Sequence, residues 1–165
     1  QTPPKMWNDT KKLINIYGIA SAMSYLHSYG IIHCDLKPAN ILEDDNLFPK
    51  IADFGLSEFS NKTSNSNCGT KGTPVYMAPE IWSDMKYLKA GDVYAFGIIV
   101  YEILTLEEPF KNYNIFMLCS KVAINGERPI FNYPILKCYR DLIIRCWDQD
   151  PKKKNGRHLM KSKTN

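Results

Sequence analysis

The stretch His33–Asn40 reads HCDLKPAN, and Asp53-Phe54-Gly55 follows thirteen residues after Asn40. A third group, Ala78-Pro79-Glu80, comes after a polar loop and closes the segment GTPVYMAPE. Four fixed residues of the first stretch would match a motif by chance in about 1 of 1000 chains of this length, and the two later groups in register make coincidence far rarer. The three groups therefore form one pattern that decides the fold.

This order and spacing resemble the catalytic loop, the DFG turn and the APE end of the activation segment in eukaryotic-type protein kinases. The resemblance continues through Asp92–Ile103 and Arg145–Pro151, so it covers nearly the whole chain. The ending RCWDQDP is most similar to the tyrosine-kinase-like group of serine/threonine kinases. The resemblance implies a mainly α fold, the large C-terminal lobe of a kinase with a small β-hairpin. Since no GxGxxG loop or VAIK-like lysine strand precedes the first predicted helix, we expect the small β-rich N-terminal lobe to be missing.

The resemblance also implies roles for five side chains, with ATP and Mg²⁺ as cofactors and protein substrates as partners. Asp35 would accept or orient the proton of the substrate hydroxyl, and Lys37 would place a cation beside the transferring phosphate, as in serine/threonine kinases. Asn40 and Asp53 offer hard oxygen ligands suited to Mg²⁺. Leu42 resembles the apolar floor of the adenine pocket, although an ordinary core leucine is an equally good reading.

Two residues depart from the family pattern. Cys34 stands where regulated kinases usually carry an arginine that pairs with a phosphate on the activation loop, so control by loop phosphorylation is not expected. Lys154 stands where an arginine normally pairs with Glu80. Because lysine lacks the bidentate fork of arginine, we expect a looser tie between the two residues.

Hydrophobic periodicity predicts a long amphipathic helix from about Asp9 to Tyr29, with Asp9 or Thr10 able to cap its start and Gly30 able to stop it. Its predicted apolar positions are Leu13, Ile16, Tyr17, Ala20, Met23 and Leu26. The near-continuous apolar segment that starts at Asp92 predicts a helix buried in the domain centre. The other expected elements are a short buried turn (31–35), a hairpin (40–42 with 50–52), a polar surface loop (57–71) and further helices (around 113–125 and 135–148).

Composition limits the class of protein further. The chain has 165 residues, of which 44% are hydrophobic and 23% charged, as in one compact globular domain. It contains no long apolar run and no signal peptide, which predicts a cytoplasmic location without membrane contact. Five scattered cysteines without a CxxC pair favour neither disulfides nor a zinc site.

The basic residues are concentrated at one end, because the segment 152–163 contains six of them and no acidic residue. We therefore divide the chain into a partial kinase domain, 1–151, and a basic C-terminal tail, 152–165. A solvated terminus explains such a run without a nucleic-acid partner.

Two functions compete at this point. The chain is either part of an active serine/threonine kinase, or a truncated, catalytically inactive kinase-derived module that binds proteins. The group Asp35, Lys37, Asn40 and Asp53 favours catalysis, since a binding scaffold does not need it. The expected absence of the N-terminal lobe favours the binding module, or a partner protein that supplies the missing half.

We predict that the 165-residue chain alone does not phosphorylate protein at a useful rate, because ATP in this family is clamped between two lobes. A misplacement of about 1 Å costs roughly 100-fold in such a reaction. The measurement is incubation with Mg²⁺, labelled ATP and a generic basic protein, beside an Asp35→Asn control. Robust transfer that disappears in the control would contradict the prediction.

Overall fold

The computed structural model describes residues 8–60 and 72–154, and it is mainly helical there. The helices are α1 (Asp9–Ser28), α2 (Pro79–Asp84), α3 (Lys89–Thr105), α4 (Ile115–Met117) and α5 (Lys137–Cys146). The strands are β1 (Ile31–Ile32), β2 (Ile41–Glu43), β3 (Pro49–Ile51) and β4 (Glu58–Phe59). Single 3₁₀ turns cover Pro38–Asn40 and Pro74–Tyr76, and α4 continues as a π-helix over Leu118–Ile124. The predicted fold class, mainly α with a small hairpin, is confirmed.

Helix α3 forms the centre of the core, and its burial follows from its nearly unbroken apolar sequence. Phe96, Ile99, Val100 and Ile103 are buried as predicted, whereas Val93 is only partly buried. The helix begins three residues before the predicted Asp92, which lies in its first turn. Both α1 and α5 pack against α3, so this helix supports the elements on either side of it.

The predicted extent of α1 is confirmed, but its cap and its buried face differ from the prediction. Asn8 caps the helix by accepting the Lys11 N–H at 2.8 Å, so neither Asp9 nor Thr10 does so. Leu13 and Tyr17 are 52% and 66% exposed. The prediction is wrong for these two positions, because polar residues occupy part of the core side, whereas Ile16 and Met23 are buried as predicted.

Two polar side chains can take these inner positions because each has a partner. The Asn15 Nδ2 donates to Lys11 O at 3.1 Å, and Lys11 Nζ lies 3.1 Å from Glu43 Oε2. Burial of a hydrogen-bonded polar group costs much less than burial of an unpaired one. The core face of α1 therefore combines these two polar residues with the buried apolar side chains of Ile16, Ile19 and Met23.

The predicted hairpin is confirmed as the antiparallel pair β2–β3, whose register matches Leu42 with Lys50. The prediction of a turn over 31–35 is wrong at its start, because β1 pairs with β4 through Ile31 and Phe59. Local sequence could not reveal this pair, since the hairpin lies between its two strands. The start of the predicted polar loop thus contains β4, and residues 61–71 of that loop lie outside the described residues.

The two helices predicted near the C-terminus are also confirmed, with shorter bounds than expected. The first is α4 with its π-helical continuation, which ends at Ile124, and the second is α5. In the part of the chain that the structure describes, none of the helices combines the length and the apolar character that a bilayer crossing requires.

A glycine allows the two core helices α3 and α5 to approach closely. A Cβ added at Gly97 would lie 2.6 Å from Cys146 Cβ, a distance that requires the backbones to separate. At Gly91, by contrast, the nearest atom to an added Cβ is the mobile Ile81 Cδ1 at 3.1 Å.

We predict that Gly97→Ala lowers the free energy of unfolding by up to about 2 kcal/mol. Overpacking costs about 1–3 kcal/mol, and the better helix propensity of alanine offsets about 1 kcal/mol of this cost. Gly91→Ala is the matched control: it gains helix propensity and meets only the mobile end of Ile81, so it should not lower this value. Urea unfolding followed by circular dichroism measures both, and equal effects of the two variants would refute this account of the helix contact.

Candidate active site

One buried carboxylate attaches the loop 33–40 to the core. Asp92, in the first turn of α3, is 3% exposed and accepts the backbone N–H groups of His33 and Cys34 at 2.9 and 3.0 Å. The His27 Nε2 lies 2.8 Å from the same carboxylate. Asp92 therefore supports the backbone of this loop, and His27, in the last turn of α1, contacts the same carboxylate.

His33 is fully buried. Its Nε2 lies 3.0 Å from Ala52 O, and its ring centroid lies 5.2 Å from that of Phe54. The histidine therefore joins the loop 33–40 to the segment that carries Asp53.

The backbone is strained both in the loop 33–40 and in the segment that carries Asp53. Cys34 and Asp53 have φ angles of 69° and 61°, in the left-handed region that residues with a side chain seldom adopt. Such conformations cost about 1–3 kcal/mol and persist only where surrounding contacts fix them. At Cys34 one such contact is the hydrogen bond to Asp92. The Cys34 side chain is buried and uncharged, in line with the expectation that it offers no cation to a phosphate.

Asp35 and Lys37 lie in direct contact, with Lys37 Nζ 2.7 Å from Asp35 Oδ2. Thr73, from the segment before α2, completes the group. Its N–H and its Oγ1 both lie 3.0 Å from Asp35 Oδ1, and Lys37 Nζ lies 3.0 Å from its Oγ1. Burial works to raise the pKa of Asp35, but the hydrogen bonds from Lys37 and Thr73 outweigh it and hold this pKa below its ordinary value. Asp35 is therefore ionised at neutral pH.

Thr73 is the residue at this site that sequence reasoning missed. It lies within the segment GTPVYMAPE, which carried part of the family resemblance but was given no role in the site. The sequence feature that could have indicated a role for Thr73 is its hydroxyl group next to Pro74 in this segment. Only the folded chain brings it to Asp35, from which it is separated by 38 positions.

Asn40 lies against Asp35 and is only 7% exposed. Its Nδ2 donates to Asp35 O at 2.9 Å and to Asp35 Oδ2 at 3.3 Å, so the side-chain oxygen Oδ1 is the atom that a metal could take. The backbone of Asn40 accepts the Ala52 N–H at 2.9 Å, next to Asp53. Asp53 itself is exposed, and its Oδ1 accepts the Gly55 N–H at 3.3 Å.

Asn40 and Asp53 do not form a complete metal-binding site by themselves. Among the described residues, none of the His, Cys, Asp and Glu side chains forms a group of three or more that could hold a metal ion. Mg²⁺ commonly binds to one or two protein oxygens together with the phosphates of a nucleotide, and an asparagine with an exposed aspartate suits that arrangement.

Leu42 lies on β2 and is 56% exposed. The reading of Leu42 as an ordinary core leucine is therefore wrong. An apolar side chain open to solvent on this hairpin is compatible with contact to a planar ligand.

Lys154 and Glu80 form a buried ion pair, with Nζ and Oε2 2.6 Å apart. Lys154 is 2% exposed and its ammonium lies 5.1 Å from the centre of the Tyr94 ring, so the prediction of a solvated basic end is wrong for this residue. Burial lowers the pKa of Lys154, although the charge of Glu80 acts to raise it. The Glu80 Oε1 has no hydrogen-bond partner in the described part, as expected when lysine replaces a two-pronged arginine.

Comparison with known proteins agrees with this arrangement. The family model of the protein kinase domain matches residues 7–163. A Dictyostelium discoideum protein named "Probable serine/threonine-protein kinase" is 42% identical over 135 residues, which cover 81% of this chain and 15% of that protein.

The dual specificity protein kinases shkD and shkB of the same organism are 42% and 39% identical over 136 and 139 residues. Each alignment covers 80% of this chain, but only 18% and 21% of the two relatives. The chain thus spans about a fifth or less of the length of these three proteins. The match along residues 7–163 shows that the chain belongs to the protein kinase domain family.

Proposed function

We propose that this chain is the part of a serine/threonine protein kinase that orients the acceptor hydroxyl for transfer of the ATP γ-phosphate to protein. The observation that carries the proposal is the contact of Asp35 with Lys37, Thr73 and Asn40, within 3.3 Å in every case. A protein-binding module would gain nothing from a partly buried ionised aspartate held in this way.

Phosphoryl transfer depends mostly on alignment and on cancellation of negative charge. The oxygen of the substrate hydroxyl forms a bond to the γ-phosphorus, and the bond from that phosphorus to the bridging oxygen of ADP breaks. Asp35 receives the hydroxyl proton. It suits this role because it is ionised at neutral pH, and because Thr73 and Lys37 fix its orientation.

Lys37 has a second role, since its ammonium can attract the transferring phosphate. Its contacts to Asp35 and Thr73 hold the long side chain over the loop. Lysine two positions after the aspartate, together with relatives named as serine/threonine and dual specificity kinases, supports serine and threonine as acceptors.

Asn40 Oδ1 and Asp53 would hold Mg²⁺, and the ion would neutralise charge on the nucleotide phosphates. Leu42 would contact the adenine ring. The remaining contacts to ATP belong, in this family, to the glycine-rich loop and the lysine strand of the N-terminal lobe.

We predict that Asp35→Asn, in a kinase that contains this chain, lowers kcat by roughly 100-fold or more and leaves the KM for ATP nearly unchanged. A general base contributes about 10²–10⁴ in rate, and Asp35 meets the hydroxyl rather than the nucleotide. Asp53→Asn should weaken the binding of Mg²⁺ and ATP as well. Steady-state kinetics with a protein substrate measures both variants.

The matched control is Asp141→Asn, which removes an aspartate that also forms an ion pair with a lysine, Lys137, at 2.6 Å, but on α5. It should retain the parent rate. Full turnover by Asp35→Asn would refute the proposed role and favour the protein-binding alternative.

A further inference from the structure

A largely buried ion pair attaches the end of the hairpin β2–β3 to α1. Lys11 Nζ lies 3.1 Å from Glu43 Oε2, and the two side chains are 9% and 24% exposed. In the ion pair of Lys137 with Asp141 on α5, the corresponding values are 88% and 40%. Removal of water from a charged group costs free energy that a partner must offset, so the buried ammonium of Lys11 favours a structure in which Glu43 stays close.

The other strand of the hairpin contacts α1 as well. Pro49 pairs with Glu43 across the hairpin, and a Cβ added at Gly18 would lie 2.5 Å from Pro49 Cγ. Lys11 and Gly18 are separated by about two turns of the helix, so both lie on the side of α1 that faces the hairpin. The end of the hairpin is therefore attached to α1 at two points, one charged and one apolar.

Leu42 is the residue next to this attachment. Side chains alternate between the two faces of a strand, so Ile41 and Glu43 lie on one face of β2 and Leu42 lies on the other. Ile41 packs against the core and Glu43 contacts Lys11, whereas Leu42 is exposed. The contact of Glu43 with α1 therefore determines where the exposed face of β2 presents Leu42.

The opposite end of the hairpin is fixed by the loop 33–40. The Ala52 N–H donates to Asn40 O at 2.9 Å, and Asn40 Nδ2 donates to Asp35 O at 2.9 Å. These bonds do not involve Lys11. A change at Lys11 should therefore displace Leu42 and leave Asp35 in place.

We propose that Lys11 is a positioning residue for nucleotide binding, which acts through Glu43 to hold the hairpin against α1 and to fix Leu42 where it contacts the adenine ring. This inference rests on the proposed function, which gives Leu42 that contact. The attachment of the hairpin to α1 exists whether or not the chain binds ATP.

Hydrogen–deuterium exchange on the 165-residue chain tests the attachment directly. Lys11→Met keeps an unbranched apolar side chain and removes the charge. It should lower the protection factor of the amides in 42–44 and 50–51 about tenfold, as expected for loss of a hydrogen bond between charged groups. The control is Lys137→Met, which removes the exposed ion pair on α5 and should leave these amides unchanged. Unchanged protection in Lys11→Met would overturn the proposal.

The consequence for nucleotide binding is measured in a kinase that contains this chain. Leu42→Ala should raise the KM for ATP about tenfold, because it removes apolar contact with the base. Lys11→Met should raise this KM about three- to tenfold, and neither variant should change kcat by more than about twofold. Lys137→Met should keep the parent KM. A general loss of stability in Lys11→Met would instead lower the amount of active enzyme, and so the apparent kcat, at an unchanged KM.

The double variant Lys11→Met/Leu42→Ala tests whether Lys11 acts through Leu42. If it does, the double variant should have the KM for ATP of Leu42→Ala alone, since the side chain that Lys11 positions is already absent. Two independent contributions would multiply, and that result would overturn the proposal.

Glu43→Gln tests the same contact from the other side. Glutamine keeps an acceptor for the Lys11 ammonium but forms a weaker bond than the carboxylate, so the KM for ATP should rise about two- to threefold. A parent KM in both Glu43→Gln and Lys11→Met would remove the positioning role from Lys11. A parent KM in Leu42→Ala would instead refute the adenine contact of the proposed function, so the two failures are distinguishable.

Discussion

The candidate site depends on one buried carboxylate, that of Asp92. It accepts two successive backbone N–H groups, from His33 and Cys34, and it contacts His27. Without these bonds two backbone N–H groups of the loop would be buried without a partner, and Cys34 would lose one of the contacts that fix its left-handed conformation. Because Asp92 belongs to the most buried helix, the position of Asp35 is fixed by the centre of the domain.

The site combines this rigid support with side chains that arrive from distant parts of the sequence. Asp35, Lys37 and Asn40 come from one loop, and Thr73 reaches them from the segment that leads into α2. The aspartate carries the charge needed to accept a proton, yet its hydrogen bonds restrict where it points. Such restriction is the main contribution that a protein can make to phosphoryl transfer, since the chemistry itself resides in the nucleotide.

The elements that were predicted correctly from the sequence are those whose formation depends on residues close together in the chain. The apolar run of α3 and the hairpin β2–β3 are local patterns, and both are present. The pairing of Ile31 with Phe59 and the approach of Thr73 to Asp35 join distant positions, which no local pattern encodes. The error in the predicted buried face of α1 has another cause. Asn15 is buried and hydrogen-bonded, although its polar side chain alone indicates an exposed position.

The buried pair of Glu80 and Lys154 joins residues that are 74 positions apart, and this separation has a consequence for biosynthesis. The ribosome adds roughly 5–20 residues per second, so Glu80 is made about 4–15 s before its counter-charge exists. During that interval the end of the activation segment cannot be buried without leaving an unpaired carboxylate in the core, which costs several kcal/mol. The buried position of Glu80 is therefore favoured only after Lys154 has been made and can pair with it.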